Sequence, residues 1–196
     1  MSNKINTICV YAASSTKLNP VYTQAAKELG QIMAQQKIRL INGAGGIGLM
    51  KETADTVLAE GGFVTGVIPK FMIAQEWHHK GLTELIPVED MHQRKALMAE
   101  LSDAVIALPG GCGTLEELLE IITWKQLGLY LNPIIILNIN NFYAPLFEML
   151  NKAIDENFMS TKHGEIWQIA DSPEQAVALA MQTPKWDSSI RQFAKI

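Results

Sequence analysis

Three glycines fall within four positions where an apolar run gives way to a helical pattern: Leu108-Pro109-Gly110-Gly111-Cys112-Gly113-Thr114-Leu115-Glu116-Glu117. Such glycines leave backbone N–H groups open, and a helix N-terminus adds the positive end of its dipole, so the stretch suits a phosphate. Thr114 adds a hydroxyl donor. Glu117 is open to two readings. Thr114-x-x-Glu117 spells a capping box, in which the carboxylate only bonds back to the start of the helix. On a helical wheel, however, Glu117 falls between Ile121 and Trp124 at the edge of the apolar face, whereas Glu116, Glu120 and Thr123 cluster on a polar face. A carboxylate on an apolar edge beside a phosphate-type loop is a candidate catalytic group.

Arg94 is the second candidate. The helical pattern from Met91 to Leu101 has its apolar stripe at Met91, Leu97, Met98 and Leu101, and Arg94 falls inside it. A buried cation requires an anionic partner. A ligand phosphate, the edge of a ligand base or Glu117 would serve; the alternative is an arginine that snorkels outward over its neighbours. Lys95, taken alone, reads as a solvated lysine. A second glycine-rich stretch, Gly43-Ala44-Gly45-Gly46-Ile47-Gly48, matches GxGxxG. Its dinucleotide version needs an acidic residue about 20 positions later, at the end of the next strand. Gly66-Val67-Ile68-Pro69-Lys70 has none there, and the loop follows the second strand rather than the first, which counts against NAD or FAD. The favoured expectation is a loop that admits a nucleotide to a helix N-terminus; tight strand–helix packing is the plainer one. His78 and His79 read as surface loop residues rather than metal ligands, and Met72 and Trp77 as lid or interface residues.

These groups need positioning elements. Strands are expected at Ile5–Tyr11, Arg39–Ile41, Phe63–Ile68, Ala104–Leu108, Pro133–Ile139 and Ile166–Ala170, with a short extended piece at Leu82–Val88. Helices are expected at Pro20–Gln36, Leu49–Ala59, Met91–Leu101 after an Asp90 N-cap, Thr114–Leu127, Tyr143–Asn157 and Pro173–Met181. Lys70–Gly81 reads as a loop or irregular segment. Alternating strands and helices with continuously apolar strands imply an α/β fold, a single-domain doubly wound Rossmann-like parallel sheet flanked by helices. Both glycine loops then fall at carboxyl ends of strands, where such sheets bind ligands. Residues 1–182 read as one catalytic domain and 183–196 as a tail.

The composition excludes other classes. The 196 residues are 48% hydrophobic and 18% charged, against disorder, and the net charge of −4 gives no nucleic-acid or anionic-membrane surface. Cys9 and Cys112 are the only cysteines and lie in separate motifs, which suits a reducing cytoplasmic setting without zinc. No signal peptide or membrane-spanning run is seen.

Together the segments resemble the LOG (Lonely Guy) family of cytokinin-activating phosphoribohydrolases, many of which carry the name lysine decarboxylase family protein. The family pattern PGGxGTxxE is met by Pro109 to Glu117, and its RK pair by Arg94-Lys95. Further similar stretches are Gly66–Lys70, Gly48-Leu49-Met50 and Ile122–Gly128. The resemblance covers most of residues 5–180. It implies hydrolysis of the N-glycosidic bond of a nucleoside 5′-monophosphate, AMP or an N6-substituted AMP, to free base and ribose 5-phosphate. Carried across, Arg94 and Glu117 are the catalytic pair, and Gly110, Gly111, Gly113 and Thr114 hold the phosphate. Glu76, Lys95, Glu116 and Thr123 match positions near the substrate. Cys112 and Leu115 within the motif, and Ser14 and Gly45 in the loops after the first two strands, complete the expected substrate-binding set. No cofactor and no metal are expected, and a homodimer is implied. The chain departs from the family at Ala12-Ala13, Asn42, Ala44 and Lys51, where base or sugar is read. Two other readings are a non-catalytic nucleotide sensor on the same fold and a literal lysine decarboxylase. The second requires pyridoxal phosphate on a lysine, and no lysine stands in such a context.

Overall fold

The computed structural model describes residues 4–187. Seven strands, β1 (Thr7–Tyr11), β2 (Arg39–Asn42), β3 (Val64–Pro69), β4 (Glu84–Val88), β5 (Ala104–Ala107), β6 (Ile134–Leu137) and β7 (Gln168–Ala170), form one sheet in the order β4-β3-β2-β1-β5-β6-β7. Every neighbouring pair is parallel. The central strands are short, apolar and buried along their length, as a sheet covered on both faces requires. Helices α1 (Pro20–Gln35), α2 (Gly48–Ala59) and α7 (Pro173–Gln182) cover one face through Leu29, Met33, Val57 and Val177. Helices α4 (Met91–Glu100), α5 (Cys112–Gln126) and α6 (Ala144–Asp155) cover the other through Met98, Leu118, Ile122 and Leu150. The doubly wound α/β architecture is therefore as expected.

The chain winds outward from β1 to β4, then returns across the sheet to place β5 on the other side of β1. The segments leaving β1 and β5 diverge, and the crevice between them is where this class of sheet binds ligands.

Several local expectations need correction. Lys70–Gly81 is not simply a loop: α3 (Lys70–Ala74) is a five-residue helix, and His78 then bridges antiparallel to Gly45. Helix α5 begins at Cys112 with Gly111 as its N-cap, two residues before Thr114. Thr114 is thus inside the first turn, and no capping box joins it to Glu117. The glycine N-cap frees both side chains for other work. Asp90 does cap α4, its carboxylate accepting from the Gln93 amide at 2.8 Å. Short 3-10 turns at Ile139–Asn141 and Thr161–Glu165 carry no periodicity that the sequence reveals. Of the expected tail, Trp186 donates its backbone N–H to Leu131 at 2.7 Å, and its ring lies 5.4 Å from the Lys125 ammonium. Residues 188–196 lie outside the described residues. Lys125 is 1% exposed and donates to the Asn132 carbonyl at 2.9 Å; burial pulls its pKa down to about 8.

Candidate active site

Arg94 sits one turn into α4 and is 6% exposed, so it does not snorkel. Its guanidinium reaches across the sheet edge. Nε donates to the Val67 carbonyl and Nη2 to the Gly43 carbonyl, each at 3.2 Å. A Cβ at Gly43 would overlap the guanidinium, so this glycine is required for the approach. Nη1 lies 3.5 Å from Oε1 of Glu117. That is too long for a tight hydrogen bond, and it leaves the carboxylate turned toward the cleft.

Glu117 lies in the second turn of α5 and is 7% exposed. Burial pushes its carboxyl up to about 7, against the downward pull of Arg94. A carboxylate poised near neutrality beside a fixed cation is the signature of an acid–base group. Behind the pair on β1, burial holds the Cys9 thiol well above its ordinary value, so Cys9 is inert packing.

The pair closes one side of a cleft of about 360 Å³ at the crevice between β1 and β5. The open first turn of α5 also lines it. Gly111, Cys112, Gly113 and Thr114 all line it, and a Cβ at Gly111 or Gly113 would meet nothing within 4 Å. The N–H groups of Cys112, Gly113 and Thr114 have no intrahelical partner, because the first bond of the turn runs from Leu115 to Gly111. Three open donors at a positive helix end form an anion cradle. Gly110 is not part of it; its missing side chain makes room for Thr114.

Ser14 and Gly45 line the cleft, as does Met72. They also line an adjoining cavity of about 360 Å³ with Ile47, Glu76 and Trp77. Glu76 therefore stands at the far end of the site, exposed and 3.0 Å from Lys80. The first glycine loop also serves packing: Gly43 admits Arg94, and a Cβ at Gly48, where φ is +69°, would strike the Ala13 carbonyl.

Lys95 is not the solvated lysine expected; it is 5% exposed. Burial acts to lower its pKa, but hydrogen bonds to Glu116 and Glu120 outweigh that and raise it. Glu116 and Glu120, with Leu115 and Thr123, lie on the outer side of α5. There Leu115, Glu116, Leu119 and Thr123 line a shallow depression away from the Arg94–Glu117 cleft, joined to it only at Cys112. Two roles escaped the sequence, which marked Asn42 only as a departure from the family pattern. Asn42 is buried and its Oδ1 accepts from the Ala44 amide at 2.9 Å, while its Nδ2 donates to Met50. This Asx turn shapes the loop that receives Arg94, and a strand-terminal Asn before Gly is the signal that could have revealed it. Met50 lines the cleft from α2 and carries no chemical signature. His79 is no surface residue either: its ring is 10% exposed and pairs with Asp55. Among the described residues, no group of three or more His, Cys, Asp or Glu is placed to hold a metal ion.

Comparison with known proteins agrees with this geometry. Residues 50–180 match the family model described as possible lysine decarboxylase. The cleft has no lysine in its lining, so these residues do not fit a pyridoxal Schiff base. A cytokinin riboside 5′-monophosphate phosphoribohydrolase of Rhodococcoides fascians is 46% identical over 154 residues, 78% of each chain. The cytokinin riboside 5′-monophosphate phosphoribohydrolase LOG7 of Arabidopsis thaliana is 45% identical over 81% of this chain and 73% of its own. A probable enzyme of that name from Oryza sativa subsp. japonica is 40% identical over 97% of this chain and 76% of its own. The molybdenum cofactor carrier protein of Chlamydomonas reinhardtii superposes with a TM-score of 0.67 at 20% identity, covering 89% of this chain and 95% of its own, which speaks for the fold alone. With these identities over most of its length, the chain belongs to the LOG family of cytokinin riboside 5′-monophosphate phosphoribohydrolases.

Proposed function

We propose that the cleft hydrolyses the N-glycosidic bond of a nucleoside 5′-monophosphate, releasing the free base and ribose 5-phosphate. The observation that carries this is the buried Arg94–Glu117 pair standing one helical turn from an open N–H cradle. The 5′-phosphate sits on the Cys112, Gly113 and Thr114 amides and the Thr114 hydroxyl. The sugar then lies beside Glu117, and the base extends past Arg94 toward Gly45 and Met72. An N6 substituent reaches the adjoining cavity, whose walls include Ile47 and Trp77.

As the bond from C1′ to the base nitrogen breaks, its electrons leave with the base. The anomeric carbon gains oxocarbenium character, which the Glu117 carboxylate stabilises. Glu117 takes a proton from the water that attacks C1′ and later releases it to solvent, while the departing base takes up one proton from solvent, so that the elements of water are divided between sugar and base. Arg94 cannot deprotonate, so it acts as a fixed positive charge that favours the departing base. With a carboxyl at about 7, Glu117 is a competent base at neutral pH.

The same reading includes a homodimer through the outer face of α5. Leu119, Leu127 and Leu129 are 40%, 43% and 66% exposed there or just beyond its end, beside the shallow depression. It also includes a cytoplasmic location, supported by two free cysteines. Among the described residues no helix is long and apolar enough to cross a membrane.

The test is chromatographic detection of free base from AMP and from N6-isopentenyl-AMP, with Glu117→Gln as control. Release that is lost in the variant supports the proposal, and the ratio of the two rates identifies the preferred base. A folded protein that binds AMP and releases no base from either would overturn it in favour of a nucleotide sensor.

A further inference from the structure

The base side of the site is built by two backbone segments that are held against their own preferences. Ala44 in the glycine loop and Glu76 in the segment after α3 have φ of +58° and +57°. Neither is glycine, and a left-handed conformation costs such residues roughly 1 kcal/mol or more. The two segments meet edge to edge. Gly46 donates to the Trp77 carbonyl at 2.9 Å and His79 donates to the Ala44 carbonyl at 2.8 Å. Two hydrogen bonds between a loop and a short strap are by themselves a weak hold.

One side-chain connection ties the strap to the body. The His79 ring is 10% exposed and uses both nitrogens. Nδ1 accepts from the Gly81 amide at 3.0 Å, so the ring proton is on Nε2, which lies 2.7 Å from Oδ1 of Asp55. Asp55 is on α2, the helix whose first turn adjoins the glycine loop, and its other oxygen takes the Lys51 ammonium. The chain Lys51–Asp55–His79 thus runs from α2 to the strap. None of the three lines the cleft or the adjoining cavity, whereas Glu76, Trp77 and His78, immediately before His79, line the cavity.

We propose that Asp55 and His79 are a positioning pair: they fix the Glu76–His78 edge against the glycine loop and thereby set the affinity of the site for the base end of its nucleotide. The inference rests on the proposed function for the identity of the ligand, but not for the geometry. The pair does not touch the sugar or the phosphate cradle, so its loss acts on binding and leaves the bond-breaking step alone.

The experiment measures KM and kcat for AMP and N6-isopentenyl-AMP in Asp55→Ala, His79→Ala and the double variant. Asp55→Asn keeps an acceptor for Nε2. Each alanine variant is expected to raise KM roughly tenfold with kcat within about twofold, since misplacing a substrate wall by a fraction of an ångström has effects of this order. The double variant is expected to match the singles rather than multiply them, as for groups acting as one unit. Asp55→Asn is expected to recover most of the lost affinity. A fall in kcat at constant KM, or unchanged KM in both folded alanine variants, overturns the proposal, and so does a double variant whose effects multiply. If an alanine variant does not fold, His79→Leu and Asp55→Leu, which also remove the contact but fill the space, carry the same comparison. Should the wild type release no base, the proposed function fails by itself, and the pair is judged by calorimetric Kd for AMP: an unchanged Kd overturns it and a roughly tenfold weaker one supports it.

Discussion

Glu117 has an ordinary carboxyl value of 4.5 and a folded value of about 7. The folded state therefore holds this proton more tightly than the unfolded chain does. As pH rises, the unfolded chain releases the proton first and gains relative stability. The stability that Glu117 contributes is complete below 4.5, declines as pH rises, and is lost once pH passes about 7. At about 1.4 kcal/mol per pH unit, the ionised carboxylate makes the fold about 3 kcal/mol less stable. Glu117→Gln cannot ionise and avoids the loss. Urea unfolding of both proteins from pH 4.5 to 8.5 should show the variant gaining on the wild type by about 3 kcal/mol, or roughly 1.5 M in midpoint at a typical slope. Other titrating groups are common to both proteins and cancel in the difference. In parallel, wild-type kcat/KM should rise through about pH 7 as the base form appears. A stability difference that is flat with pH would refute the claim that burial outweighs Arg94 at this carboxyl, and with it the argument that Glu117 is poised at neutrality.

Gly43→Ala should displace the Arg94 guanidinium, because the new Cβ would overlap it. We expect a loss of roughly 100-fold or more in kcat/KM, the size associated with removing one fixed electrostatic group, with far-ultraviolet circular dichroism unchanged. Gly113→Ala should leave the melting temperature within about 2 °C, as a Cβ there meets nothing within 4 Å. It should nevertheless weaken inhibition by ribose 5-phosphate, since the methyl group intrudes on the phosphate cradle. Lys125→Met should stabilise the protein by about 1–2 kcal/mol at pH 7 in urea, since it removes a buried cation that, among the described residues, has one carbonyl and the Trp186 ring but no anion for partners. Because the folded pKa of Lys125 is pulled down to about 8, from 10.5, the wild type should gain on the variant as pH rises from about 8 to 10.5 and no further beyond it.

What the sequence determined by itself is the alternation of apolar runs with helical patterns, and so the parallel covered sheet. It also marked the PGGCGT stretch as an anion loop, and set Arg94 and Glu117 apart as charges on apolar faces. These are local properties: side-chain period, glycine spacing and the cost of burying a charge can be read within a dozen residues. What only the tertiary structure decided is which groups meet. Glu117 and Arg94 are joined because the crossover from β4 to β5 lays α4 and α5 on one face of the sheet. The start of α5 at Cys112 was hidden because Thr114 imitates an N-cap while glycine, with no side-chain signal, does the capping. Lys95 looked solvated because its carboxylate partners lie more than twenty positions away on α5. His79 looked exposed because Asp55 comes to it across the glycine loop. Long-range pairs of this kind leave no period in the sequence, since chain topology, rather than spacing, brings their members within reach.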